Sequence, residues 1–141
     1  WLRALHDKFH SPERPFKAVV IAPRGTLRGA WANDLEKFVP ELDYVVLSGS
    51  SDSKKKTIHK SFTVKSKNKD YAIYLINPES IIPRRTRKGK TPGIVDDLIQ
   101  MQPSAVIVDE SSKMKNPRSS TTKAILKLCD SGPRFRMVMS G

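Results

Sequence analysis

Five short runs of β-branched and aromatic residues, at 18–22, 44–47, 71–76, 105–108 and 135–139, constrain this chain more than any other feature. Most are apolar at every position rather than at every second one, so both faces of each strand must be covered. That is the condition of a parallel sheet held between layers of helices. Helical patterns separate the runs. Leu27, Trp31, Leu35 and Phe38 fall on one stripe near multiples of 3.6 residues, which reads Trp31 as core. Thr121, Ala124, Ile125 and Leu128 form a second stripe, with Ser119 or Ser120 available as its N-cap. Weaker helices are predicted over 2–9 and 94–101. The polar, lysine-rich stretch 48–69 and the arginine-rich stretch 83–92 read as exposed loops. Strands alternating with helices predict an open, mostly parallel α/β sheet flanked by helices, whose ligands bind at the carboxyl ends of the strands.

The length of 141 residues suits one domain spanning 1–141. A net charge of +12, from 26 Lys and Arg against 14 Asp and Glu, favours a polyanionic partner, nucleic acid first. A basic surface that serves only solubility is the alternative. The single cysteine, Cys129, excludes an intrachain disulfide and a cysteine-based zinc cluster, and it reads as a core residue. His6, His10 and His59 lack metal-ligand spacing, and no Ser, His and Asp set suggests a nucleophilic triad. Neither a membrane span nor a signal peptide is legible, so an intracellular, cytoplasmic or nucleoid-associated protein is expected.

The segment richest in chemistry is the run at 106–108 followed by Asp109 and Glu110. At the carboxyl end of a central strand, the first acid can hold a magnesium ion, directly or through water, and the second can orient and polarise a hydrolytic water. A polar strand end that caps the next helix accounts for the same two residues. The continuation separates the readings. Lys113, Lys115 and Asn116, followed by the Ser and Thr residues at 119–122, resemble the second motif of the Snf-like branch of helicase superfamily two, in a phage-like Asp, Glu, Ser, Ser form.

The resemblance extends along nearly the whole chain. The run at 135–139 ending in Ser140 and Gly141 is similar to the opening of the family's third motif, which couples nucleotide state to domain closure. Residues 19–27, with Trp31, Asp34, Leu35, Lys37 and Phe38, resemble the motif that touches phosphates of the tracked strand. By that likeness Arg24, Gly25 and Thr26 are phosphate contacts; an ordinary strand-to-helix turn is the other reading. Asn77 and Ser80 occupy a third such segment, in which Pro78 stands where relatives often carry Tyr, and they are expected near the DNA path, with a capped short helix as the alternative. Lys113 and Lys115 are carried over as DNA contacts. Lys54, Lys55 and Lys56 match a basic turn of relatives, or else form a solvated face. The resemblance implies a RecA-like fold of the P-loop NTPase type, with ATP and Mg2+ as cofactors. Asp109 and Glu110 would be catalytic and cofactor-binding, with Asp109 on the metal. DNA, or RNA, and a second RecA-like domain would be the partners.

Gly89, Lys90 and Thr91 spell the end of a phosphate-binding loop, but the first glycine of that pattern would fall at Arg84, and Pro92 follows. The genuine loop is expected just before Trp1, with residues 2–9 as the rest of its helix. On this reading the chain is an incomplete first domain that alone binds ATP poorly and hydrolyses it negligibly. Two other readings share the residues: the motor of a restriction or repair complex, and a non-enzymatic basic module that binds nucleic acid.

Overall fold

A computed structural model describes residues 1–60, 71–86, 89–91, 93–114 and 116–140. Its centre is a five-stranded, wholly parallel sheet built from β1 (Ala18–Ile21), β2 (Tyr44–Val46), β3 (Ile73–Ile76), β6 (Ala105–Val108) and β7 (Phe135–Val138), in the order β2-β3-β1-β6-β7. The strands are slightly shorter than the apolar runs. The ladder nevertheless continues past them, through Ala22 N–H to Ile76 O, Leu47 N–H to Leu75 O and Met139 N–H to Val108 O.

The unbroken apolar runs have a direct physical reading, because successive side chains of a strand point to opposite faces. Val19, Ile21, Tyr74, Ile76, Val106 and Val108 face one core with Ile58, Leu98, Ile125 and Leu128. Those partners come from α4 (Ser51–Lys60), α5 (Val95–Gln100) and α6 (Ser120–Asp130). Ala18, Val20, Ile73, Leu75, Ala105 and Ile107 face the other core, with Leu2, Leu27 and Leu35. These come from α1 (Leu2–Phe9), from a π turn (Leu27–Trp31) that follows the short α2 (Arg24–Thr26), and from α3 (Ala32–Phe38). β2 and β7 are the edge strands, and β7 alternates half-buried and exposed residues.

Four expectations need correction. The stretch 48–69 is not all loop: Ser51–Lys60 is helical, with Ser50 Oγ accepting from Ser53 N–H at the helix start. Its inward face is only Ile58 and the stem of Lys54, too little apolar periodicity to see. The 83–92 stretch holds an antiparallel pair, β4 (Arg84–Thr86) with β5 (Gly89–Thr91). Phe38 is 62% exposed although it shares a sequence stripe with Leu35. The π turn widens the helix between Leu27 and Trp31 and retards its phase, so Leu35 reaches the core and Phe38 does not. The predicted helix at 2–9 and the Ser119 cap are found as expected, the latter accepting from Thr122 N–H. Cys129 is half-buried against the core rather than within it.

Candidate functional site

The register brings four chain segments to one edge of the sheet. Ile21 pairs with Ile76 on one side and Val108 on the other, and Val108 pairs with Val138. The residues that leave the sheet there are Ala22, Asn77, Asp109 and Met139. The chain departs from β1 toward the face of α3, and from β3 and β6 toward the opposite face. Crevices therefore open beside the end of β1, the position where parallel α/β sheets bind ligands.

Asp109 sits on the β6 side of that crevice and is half-buried. Its amide donates to Ile21 O at 2.8 Å, which anchors it to β1. Both carboxylate oxygens are held: Oδ1 accepts from Glu110 N–H at 2.8 Å, and Oδ2 accepts from the Trp31 indole Nε1–H at 2.8 Å. Glu110 itself stands at φ 51, in the left-handed region that costs a non-glycine residue about 1–3 kcal/mol. The strain is stabilised locally by its bond to Asp109 and by Ser111 N–H donating to Met139 O at 2.9 Å. That second bond ties the turn after the acids to the end of β7, next to the exposed Ser140.

On the β3 side lies a cavity of 460 Å3 walled by Arg24, Gly25, Arg28, Lys54 and Asn77, among others. Arg24, Gly25 and Arg28 are exposed. Thr26 is half-buried, and its hydroxyl donates to Pro23 O at 2.8 Å, so it closes its own turn. Asn77 is 5% exposed and its amide is engaged: Nδ2 donates to Glu79 Oε2 at 2.6 Å, and Oδ1 accepts from Ser80 Oγ at 2.7 Å. Asn77 precedes the 3-10 turn Pro78–Ser80 but makes no side-chain cap bond to it. Lys54, only 8% exposed, donates from Nζ to Ser80 Oγ at 3.1 Å.

The backbone of Lys113 belongs to the 3-10 turn Ser111–Met114; Lys115 and Gly141 lie outside the described residues. Sequence reasoning missed Trp31 as a partner of Asp109, because an apolar stripe explained the same ring. It also passed over Arg28 and left Lys54 undecided within a lysine run.

Among the described residues no group of three or more His, Cys, Asp or Glu could hold a metal by itself. A single hard carboxylate at a strand end fits magnesium, which keeps waters and takes its other oxygens from substrate phosphate. The fit for a triphosphate is incomplete. The only Gly-Lys-Thr of the chain, at Gly89–Thr91, is a strand of the antiparallel pair rather than a loop opening a helix, as expected for a decoy. Among the described residues no helix is long and apolar enough to cross a membrane.

The sequence matches the SNF2-related domain over residues 1–141, that is, over its whole length. None of the curated proteins compared with it matches. The five-stranded parallel sheet between helices is the open α/β architecture that the sequence pattern predicted, and it agrees with the RecA-like fold that the family resemblance implied.

Proposed function

This chain belongs to the SNF2-related domain family of ATP-dependent, nucleic-acid-acting motors, and on that premise we propose that it is most of the first RecA-like domain of a translocase moving on DNA. The observation that carries the reading is the Asp109–Glu110 pair at the carboxyl end of β6, beside the turn that leaves β1. In this reading the phosphate-binding loop belongs to a segment before Trp1, and a second RecA-like domain completes the site.

Asp109 would hold magnesium, directly or through water, with a carboxylate that Glu110 N–H and the Trp31 indole already orient. When bound, the ion offsets charge on the phosphate oxygens. Glu110 orients the attacking water and accepts its proton on a carboxylate oxygen. Ser140 and Gly141 couple that site to the second domain, a role supported for Ser140 by the bond from Ser111 N–H to the adjacent Met139 carbonyl. Arg24, Gly25, Thr26, Asn77 and Ser80 form the DNA-facing edge, and Lys113 and Lys115 are DNA contacts by family resemblance. Asn77 and Ser80 act there by shaping the wall, since their side chains bond to each other. The charge of +12 supplies sequence-independent, salt-sensitive affinity.

The test is Glu110→Gln in the protein with its nucleotide site complete. Nucleotide affinity is retained while DNA-stimulated hydrolysis falls by about 10²–10⁴-fold, the usual worth of a general base. Hydrolysis near the parent rate would remove Glu110 from this role.

A further inference from the structure

Of the two hydrogen bonds that hold the Asp109 carboxylate, one is local and one is not. The bond from Glu110 N–H follows from the backbone shape of adjacent residues. The bond from Trp31 Nε1–H crosses 78 residues of sequence and spans the crevice between the β1 side and the β6 side of the site. A phenylalanine would keep an aromatic ring against the Leu27 and Leu35 core, where this half-buried ring packs, and would bring no polar hydrogen. What only the indole adds is its N–H, a donor with no acceptor role, and that group lies on a carboxylate.

Trp31 is also the last residue of the π turn, in which Ala32 N–H reaches back to Leu27 O. π turns are uncommon single-turn features concentrated at functional sites. Tightening this one to α geometry rotates Trp31 relative to the Arg24–Thr26 turn that precedes it. The indole can follow such a rotation, because Trp31 and Asp109 share the wall of an open, largely apolar groove of 480 Å3.

We propose that Trp31 is a positioning residue that sets the Asp109 carboxylate, and that the π turn makes this setting respond to polyanion bound at the Arg24–Thr26 turn. The idea rests on the DNA-motor reading above and deepens it, by giving DNA a physical route to the magnesium-holding acid. The route is short: one helical segment from residue 24 to residue 31, then a single hydrogen bond.

The experiment follows the indole N–H signals by 1H–15N NMR. The chain has two tryptophans, Trp1 and Trp31, and so two indole N–H signals. Trp31→Phe assigns the Trp31 signal, and Asp109→Asn shifts it by replacing the charged acceptor. A short duplex of mixed sequence, added without nucleotide, moves the Trp31 signal. Arg24→Ala reduces the movement at matched duplex saturation. In the protein with its nucleotide site complete, Trp31→Phe lowers DNA-stimulated kcat about tenfold, the worth of one charge-assisted hydrogen bond, and raises the magnesium concentration needed for half-maximal rate. The KM for ATP and the affinity for duplex are unchanged. Duplex binding, measured by anisotropy, with an unmoved Trp31 signal overturns this inference alone. No duplex binding overturns both it and the reading on which it rests.

Discussion

The ammonium of Lys54 donates to the hydroxyl of Ser80 at 3.1 Å, joining α4 to the turn after β3 beneath the basic cavity. Ser80 passes the interaction on to Asn77, and Asn77 to Glu79, so a nearly buried cation is embedded in a polar chain. Burying a charge is expensive unless polar partners compensate it. Lys54 is therefore held in place, in a wall that also carries Arg24 and Arg28.

Lys54→Met keeps most of the stem volume and removes the charge. The expected result is weaker duplex binding for every sequence, with the slope of log K against log salt reduced by about one. Anisotropy titrations at several salt concentrations measure it. Lys127→Met is the control, because Lys127 is exposed and paired with Asp96 away from that cavity. An equal change in both variants would show bulk charge rather than this cavity to be responsible.

What the sequence made legible follows from how each feature is encoded. The central strands β1, β3 and β6 were readable because the two-sided core demands apolar residues in unbroken runs, and the acid pair because Asp109 and Glu110 are adjacent to one of those runs. The helix α4 was not readable, since Lys54 supplies part of its buried face with a stem that the letter K does not announce. The bond from Trp31 to Asp109 was hidden by its 78-residue separation. The π turn was hidden as well, since the stripe of Leu27, Trp31, Leu35 and Phe38 fits an ordinary helix and only Phe38 breaks the pattern.

Gly93 is required for want of space. A Cβ there would lie 2.4 Å from Ile81 O, 2.8 Å from Pro83 N and 2.9 Å from Ile82 C, all backbone atoms that cannot turn aside. Gly93→Ala should destabilise the fold by about 1–3 kcal/mol, read from the urea midpoint at unchanged slope. Gly29→Ala is the contrast, with nothing within 4 Å of the added carbon, and it should gain about 0.4–1 kcal/mol. Equal midpoints for the two variants would refute the steric account.

Ser119 caps α6 through Oγ, which accepts from Thr122 N–H at 3.1 Å and donates to Thr122 Oγ1 at 2.8 Å. The helix it starts buries Ile125 and Leu128 against the sheet. Ser119→Ala should cost about 1 kcal/mol in denaturant unfolding. Ser119→Asp should restore most of that loss, since a carboxylate can accept from both Thr122 donors and suits the positive end of the helix. A Ser119→Ala midpoint equal to that of the parent would mean that the cap adds nothing to stability.

The Cys129 thiol is pushed above its ordinary pKa, first by burial and then by the negative charge of Asp130, with Arg136 opposing. Arg136 Nη1 lies 3.9 Å from Asp130 Oδ1, so the two charges partly cancel before either reaches the sulfur. Alkylation by iodoacetamide, which consumes the thiolate, should be slow at neutral pH and reach its half-maximal rate above the usual thiol range. Asp130→Asn should move that midpoint down, and Arg136→Gln should move it up. The linked effect on stability has a definite sign. Because the folded pKa is the higher one, the folded state holds its proton where the unfolded state has lost it. The contribution is therefore complete below the unfolded thiol's pKa and is lost as pH rises through the folded value. Cys129→Ser removes the thiol and with it this alkaline loss, so the difference between parent and variant in unfolding free energy should change across that window. A difference independent of pH there would contradict the raised pKa.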